Sequence, residues 1–201
     1  MDQGPIAQSG AWLALGREIA QTLERVDALA FRRFVDVFQD ERPRWFFSGQ
    51  GRSGLVAEMA AMRFMHMGRP AHFVGEATAP SVRASDGLCL VSGSGNTPVT
   101  VYFARIAKDE GAKIAVITRE PDSVLAQLAD FVFHVPIEAT RQFGGSLFEQ
   151  TSLILLDAIV LELTRAVPDP HRMMLSRHTN LQERGPGGAL APKRRRLTLA
   201  H

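Results

Sequence analysis

Apolar residues recur at helical spacing near the start of the chain. They lie three or four residues apart: Trp12, Leu15, Ile19, Leu23 and Val26, continuing to Phe34 and Phe38. This spacing predicts a long amphipathic helix with one apolar face. We predict a break in that helix near Asp27.

Five short apolar runs follow, and helical patterns separate most of them. The runs cover residues 45–47, 71–74, 88–91, 114–117 and 131–135, and the helical patterns lie near residues 53–67, 98–110 and 122–129. Strands that alternate with helices are typical of a parallel sheet with both faces covered. The pattern therefore predicts one doubly wound α/β domain.

The last third of the chain is mainly helical in pattern. A strongly apolar helix is predicted from Ser146 to about Ala166, and a shorter helix is predicted after Pro168, Asp169 and Pro170. We find no internal repeat and no linker before residue 184.

The composition is typical of a soluble globular protein. The chain has 201 residues, of which 45% are hydrophobic and 22% are charged, which fits one domain with tails. Its single cysteine, Cys89, excludes a disulfide framework and a cysteine metal site. The sequence contains no pattern of a membrane span or a signal peptide, so we expect a cytoplasmic protein that does not contact membranes.

Basic residues are concentrated at the C-terminus. Residues 183–201 hold five of the 23 Lys and Arg residues but one of the 21 Asp and Glu residues, so the rest of the chain is slightly acidic. Four consecutive cations after a Gly- and Pro-rich stretch predict a disordered tail. Because no aromatic residue lies near this tail, we expect no specific binding of nucleic acid.

The segment at residues 92–97, Ser-Gly-Ser-Gly-Asn-Thr, directly follows the third apolar run. Its glycines allow close approach of a ligand to the backbone, and the hydroxyls of Ser92, Ser94 and Thr97 add hydrogen-bond donors. Thr97 fits a helix N-cap and Pro98 the first helical position, which directs the positive helix end into the loop. The loop lacks the Lys of a nucleoside triphosphate loop. It predicts a socket for a phosphate monoester held mainly by neutral donors.

A second glycine-rich loop, residues 48–54, follows the first apolar run. Ligands of open parallel sheets bind beyond the carboxyl ends of the strands, where both loops are expected. Gly49, Gly51 and Gly54 approximate the G-x-G-x-x-G spacing of dinucleotide sites. The acid expected about 20 residues further on is not clear, since Glu76 does not stand at a clean strand end. The spacing is therefore a weak indication of a dinucleotide.

Glu149 is the acidic residue that we single out for chemistry. It lies in the first turn of the predicted helix, and Leu153, Leu156 and Val160 follow on its face. A carboxylate on an inward apolar face requires a partner or a function. However, Ser146 and Glu149 also fit an S-x-x-E capping box, in which Glu149 bonds the Ser146 backbone N–H. The spacing does not decide between these roles.

Two histidines and one arginine are weaker candidates. His178 follows the last predicted helix and can reach a site on this or a neighbouring subunit, although a lone histidine is more often a surface residue. His66 falls in the last turn of a predicted helix, where the helix dipole favours it without any catalytic role. Arg52 either reaches a phosphate or faces solvent. The chain has neither metal-ligand spacing nor a serine nucleophile elbow.

These motifs resemble the SIS (sugar isomerase) domain family over about residues 10–182. The matching segments are GQGRSG at 49–54, MRFMHMG at 62–68, VGE at 74–76, SGSGNT at 92–97, GSLFEQ at 145–150 with LDA at 156–158, and RHTNL at 177–181. The 92–97 loop alone fits any sugar-phosphate SIS domain, whereas the FEQ helix together with the RHTNL ending is more specific. The chain departs from the family at Gln50, at Asn96, where Glu is common, and at residues 143–145.

The resemblance implies a three-layer αβα sandwich with a five-stranded parallel sheet. It implies a homo-oligomer, expected to be a tetramer, with active sites near subunit boundaries. The implied reaction interconverts 3-hexulose 6-phosphate and fructose 6-phosphate through an enediol, after formaldehyde has been fixed onto ribulose 5-phosphate. Such a proton transfer needs no metal and no cofactor.

The resemblance also assigns roles to residues. Glu149 would move the carbon-bound proton, and His178 would move the oxygen-bound proton or assist ring opening, with His66 as a further catalytic candidate. The expected phosphate-binding residues lie in the two loops: Ser48, Gly51, Arg52, Ser53, Ser92, Ser94 and Thr97. The expected divisions are an N-terminal helical segment packed on the domain (residues 1–38), the SIS domain (39–182) and the basic tail (183–201).

Two alternatives remain open at the level of sequence. The protein can be another aldose–ketose phosphate isomerase, such as one acting on arabinose 5-phosphate. It can also be a non-catalytic sugar-phosphate sensor that regulates a partner. A sensor gives no reason for Glu149 and His178 to converge on one pocket, so their positions bear on this choice.

Overall fold

The computed structural model describes residues 10–180, so the predicted tail at residues 183–201 lies outside it. The order of elements along this part of the chain is α1 (Ala11–Glu24), α2 (Ala28–Val37), β1 (Trp45–Gly49), α3 (Arg52–His66), β2 (Ala71–Phe73), β3 (Gly87–Val91), α4 (Pro98–Asp109), β4 (Lys113–Thr118), α5 (Val124–Leu128), β5 (Phe131–His134), α6 (Ser146–Leu163) and α7 (Pro170–Leu175). Every predicted strand and helix corresponds to one of these elements. The alternation of strands and helices is confirmed.

The five strands form one parallel sheet in the order β2-β1-β3-β4-β5. From β1 the chain first adds β2 on one side and then crosses to add β3 on the other. The strand order therefore reverses between β1 and β3. In sheets of this kind the ligand crevice lies at that reversal, beyond the carboxyl ends of the two strands.

The three central strands, β1, β3 and β4, are buried on both faces of the sheet. Their neighbouring residues point to opposite sides and pack in two separate clusters. Phe47 and Val91 pack in a cluster with residues of α2, α3 and α6. Phe46 and Leu90 pack in a second cluster with residues of α4 and α5. Cys89 is fully buried in the first cluster, and burial raises the pKa of its thiol to about 12. These layers are the predicted αβα sandwich.

The N-terminal helical pattern divides into α1 and α2 at Asp27, as predicted. The Asp27 carboxylate accepts hydrogen bonds from the backbone N–H groups of Leu29 (2.8 Å) and Ala30 (3.0 Å), so a new helix starts there. These hydrogen bonds hold the pKa of the Asp27 carboxyl below its usual range. Helix α1 contacts α6, and α2 contacts β5 and α6. The division of the chain at residue 38 stays a prediction.

Phe38, which ends α2, joins the helices to the sheet. It is fully buried, and its ring centroid lies 5.5 Å from that of Phe34, 4.5 Å from Trp45 and 5.1 Å from Phe64. These rings come from α2, β1 and α3. One side chain thus packs against three separate elements.

We expect Phe38→Ala to lower the free energy of unfolding by about 3–5 kcal/mol, because it removes a fully buried ring and leaves a cavity. Chemical denaturation measures this change. Phe143→Ala is the matched control, since the Phe143 side chain is 87% exposed, and it should change stability by less than about 0.5 kcal/mol. A similar loss in both variants would contradict the packing role of Phe38.

Candidate functional site

The loops after β1 and β3 meet at the strand-order reversal. The close approach depends on Gly49, at the end of β1, because a Cβ there would lie 2.7 Å from the Ser53 backbone and 2.8 Å from the Val91 carbonyl oxygen. The ends of β1 and β3, some forty residues apart in the sequence, thus come into contact. The crevice forms between residues 48–54 and the 92–97 loop.

The 92–97 loop presents its hydroxyls toward this crevice. The Ser92 and Thr97 hydroxyl oxygens are 3.4 Å apart, and the Ser94 hydroxyl accepts a hydrogen bond from the Asn96 N–H at 3.3 Å. Thr97 is the N-cap of α4 and Pro98 its first residue, as predicted. The Thr97 side chain does not cap the helix, so its hydroxyl can donate to a ligand.

Helix α5 holds the loop in shape. Asn96 accepts a hydrogen bond from the Val124 N–H and donates one to the Ser94 carbonyl, both at 3.0 Å. The Leu125 N–H donates to the Gly95 carbonyl at 3.0 Å. Gly95 has a φ of +61°, and a Cβ at this position would overlap the Ser123 hydroxyl. The loop therefore caps the first N–H groups of α5, a contact that sequence spacing did not indicate.

Glu149 pairs with Arg52 across the crevice. The Arg52 Nε lies 2.8 Å from the Glu149 Oε2, and the Glu149 side chain is 15% exposed. Arg52 also donates through Nη1 to the Ser146 hydroxyl at 3.2 Å. These contacts join the first turns of α3 and α6.

The capping-box interpretation of Ser146 and Glu149 is wrong. The N-cap of α6 is Gly145, and the Ser146 N–H donates to the Phe143 carbonyl instead of to Glu149. The Ser146 hydroxyl donates to that same carbonyl at 2.7 Å. Because the helix starts one residue earlier than a box would require, the Glu149 carboxylate is left to face the crevice.

The crevice contains a cavity of about 180 Å³. The residues that line it are Gln50, Ser53, Val91, Ser92, Gly93, Ser94, Thr97, Arg119, Gly145, Phe148 and Glu149. Five predicted site residues are therefore brought together: Ser53, Ser92, Ser94, Thr97 and Glu149. Three others lie beside the cavity without lining it: Ser48, Gly51 and Arg52.

Those three residues have distinct surroundings. Ser48 is buried in β1, and its hydroxyl has no hydrogen-bond partner among residues 10–180. Gly51 is the N-cap of α3 with a φ of +57°, a conformation that favours glycine. Arg52 is half-exposed and engaged with Glu149.

His66 and His178 form a pair far from the cavity. Their rings stack with centroids 5.4 Å apart; His66 is buried and His178 is exposed. His66 ends α3, whereas Arg52 begins it. At 1.5 Å per residue, the ends of this 15-residue helix are about 20 Å apart. A single chain therefore does not bring either histidine to Glu149.

Sequence reasoning missed Arg119. It follows β4 directly and lines the cavity beside the 92–97 loop. A cation immediately after a buried parallel strand is a usable signal, because the carboxyl ends of all such strands share one edge. In the sequence, Arg119 lies two positions after the fourth apolar run, residues 114–117.

A model of the SIS domain matches residues 38–163. The chain belongs to the SIS domain family. The crevice and its loops fall inside the matched residues.

Individual relatives agree with this family. The chain is 40% identical over 177 residues to a 3-hexulose-6-phosphate isomerase of Mycobacterium gastri, covering 82% of this chain and 86% of the relative. It is 37% identical over 146 residues to a 3-hexulose-6-phosphate isomerase of Bacillus subtilis, covering 68% and 79%.

A solved structure also agrees. A crystal structure from Methanococcus jannaschii, for which the function of 3-hexulose-6-phosphate isomerase was inferred, matches with a TM-score of 0.74 and 29% identity. The match covers 85% of this chain and 98% of that one.

Residues 10–180 contain neither a candidate membrane span nor a candidate metal cluster. No helix in this range has the length and apolarity to cross a bilayer. No three His, Cys, Asp or Glu side chains in it are grouped as metal ligands.

We expect His66 to make the folded protein sensitive to acid. Burial, then the nearby His178 and Arg63, lower the pKa of His66 below its ordinary value. Between that lowered pKa and the unfolded value of about 6.5, the unfolded chain binds more protons, so stability falls as the pH falls through this window. Denaturation at pH 7.5 and at pH 5.5 should show a smaller loss for His66→Gln than for the wild type.

The control for this experiment is His171→Gln, which changes an exposed histidine of α7. It should keep the wild-type dependence on pH. An unchanged dependence in His66→Gln would contradict the assignment.

Proposed function

We propose that this protein interconverts 3-hexulose 6-phosphate and fructose 6-phosphate. The observation that carries the proposal is that Glu149 and the 92–97 loop line one cavity at the carboxyl edge of the sheet. Relatives with this named activity match most of the chain. The ribulose monophosphate pathway of formaldehyde fixation is the implied setting.

In the proposed mechanism Glu149 is the base. Its carboxylate removes the proton from C3 of fructose 6-phosphate, which gives an enediol spanning C2 and C3. The same group, now protonated, returns the proton to C2 and leaves the carbonyl at C3. The only other net change is the transfer of a proton from the C3 hydroxyl to the C2 oxygen, which needs a second acid–base group.

The remaining loop residues are proposed to bind the phosphate group. Ser92, Ser94 and Thr97 donate from the 92–97 loop, and Ser53 donates from the start of α3. Ser48 and Gly51 support the same edge. Holding a remote phosphate orients the reacting carbons against Glu149.

We propose a role for Arg52 that differs from the predicted one. The sequence suggested a phosphate contact, but its guanidinium group is engaged with Glu149 at 2.8 Å. We propose that Arg52 fixes the position of the carboxylate. It is a positioning residue in this scheme.

We propose that the second acid–base group comes from another copy of the chain. Positions 52, 55, 59, 62 and 66 of α3 follow the alternating three–four spacing of a helix–helix seam. Leu55, Met59 and Met62 are 60%, 38% and 46% exposed along it. Two copies packed antiparallel through this seam, about a two-fold axis near Met59, place His66 and His178 of each copy beside Arg52 and Glu149 of the other.

Hydrogen exchange tests the reaction. In D₂O the protein should replace the hydrogen at C3 of fructose 6-phosphate with deuterium, which NMR detects. Glu149→Gln should slow this exchange by at least about a hundredfold, since it removes the base. Glu162→Gln, at the far end of the same helix, is the control and should keep the wild-type rate.

Other patterns of exchange would overturn the proposal. Exchange at C1 identifies an aldose–ketose isomerase, which is the enzymatic alternative. Absence of exchange with retained binding identifies a sugar-phosphate sensor.

Mixed subunits test whether the site is shared. Glu149→Gln and His178→Gln should each be nearly inactive alone. Co-expressed in equal amounts, they should recover about a quarter of the wild-type activity, because half of the pairs are mixed and each mixed pair has one complete site. Activity no higher than that of the separate variants would show that the site lies within one chain.

A further inference from the structure

Arg119 is a cation that lines the cavity, and one of its hydrogen-bond donors lacks an acceptor within residues 10–180. Its Nε is buried and has no hydrogen-bond partner among residues 10–180. The Glu120 Oε1 lies 3.6 Å from this Nε, beyond hydrogen-bond length. Buried donors nearly always find a partner. The Arg119 side chain therefore has a free donor beside a cavity that it lines.

The backbone of Arg119 is attached to the 92–97 loop. Its N–H donates to the Gly93 carbonyl at 3.4 Å, and the Thr118 hydroxyl donates to the same carbonyl at 3.4 Å. The end of β4 is thereby fixed to the loop that carries the serine hydroxyls. Arg119 and the serine residues of this loop line one cavity.

A phosphate dianion in the crevice requires a cation other than Arg52. The Glu149 carboxylate lines the cavity, and Arg52 is engaged with it. That pair is neutral in sum, so it offers a dianion no net attraction. Arg119 supplies the remaining positive charge. Within residues 10–180 its only ion pair is the long one with Glu120, whose side chain is 55% exposed.

We propose that Arg119 binds the phosphate group of the substrate together with the 92–97 loop. The inference rests on the proposed function only in taking the substrate to be a sugar monophosphate. It differs from the expectation of a socket made mainly of neutral donors. A charge-assisted hydrogen bond to a phosphate oxygen is about twice as strong as a neutral one.

The test measures the affinity for inorganic phosphate by calorimetry and the KM for fructose 6-phosphate. Arg119→Gln should weaken phosphate binding by about tenfold to a hundredfold and raise KM by a similar factor, with kcat changed much less. Arg119→Lys keeps the charge and should recover much of the loss. The affinity of the wild type should fall with added salt more steeply than that of Arg119→Gln.

Two controls separate binding from a structural effect. Arg105→Gln makes the same charge change at an exposed position of α4 and should leave both constants unchanged. Glu120→Gln removes the long ion pair while keeping Arg119, so phosphate binding should stay equal or tighten by up to about fivefold. Weakening in Glu120→Gln as large as in Arg119→Gln would overturn the proposal, because it would assign the effect to the pair.

The outcomes also distinguish this inference from the proposed function. Wild-type turnover with unchanged KM in Arg119→Gln would overturn the inference alone. Phosphate binding that depends on Arg119, without exchange at C3 of fructose 6-phosphate, would support the inference and overturn the function. A wild type that neither binds phosphate nor acts on the sugar would overturn both.

Discussion

The parallel pairing of β1 with β3 is the constraint on which the site depends. All five strands run in one direction, so the loops that follow them emerge at one edge. The reversal of strand order opens a crevice there, and Gly49 lets the two loops approach within contact distance. Every residue that lines the cavity ends or follows a strand at this edge, or lies at the start of a flanking helix. The position of the site is thus set by the parallel direction of the strands, and the side chains at that edge determine what it binds.

Much of the fold could be predicted because most helices and strands have a recognisable local sequence pattern. Apolar runs such as residues 88–91 are short and continuous, as buried parallel strands require. Asp27 marked a helix start that the structure contains. The order of the strands was not available from periodicity, since it depends on which strands pair. The start of α6 at Ser146 is confirmed. The role of Glu149 was left open for a similar reason: Ser146 and Glu149 satisfy the local rule for a capping box, but the contact of Glu149 with Arg52 is long-range.

In the site, too, local sequence patterns predicted some features, whereas others depend on long-range contacts. Glu149 and the 92–97 loop were identifiable from residue type and spacing, and the structure places them around one cavity. Arg119 could have been identified because it directly follows a predicted strand. The hydrogen bond between Asn96 and Val124 joins segments distant in sequence, so no local pattern contained it. The separation of His178 from Glu149 follows from the direction of α3, which runs back across the sheet from its loop edge. In the proposed shared site, a second copy of the chain supplies the histidine that a single chain holds away from Glu149.

Helix α5 has only five residues, too few to persist without outside bonds. It obtains two of them from Asn96 and Gly95, so helix and loop order each other as one unit. Sequence drift in α5 can therefore retune ligand recognition without altering any atom in the cavity wall. A change that disturbs α5 thus also disturbs the 92–97 loop, although no residue of α5 lines the cavity.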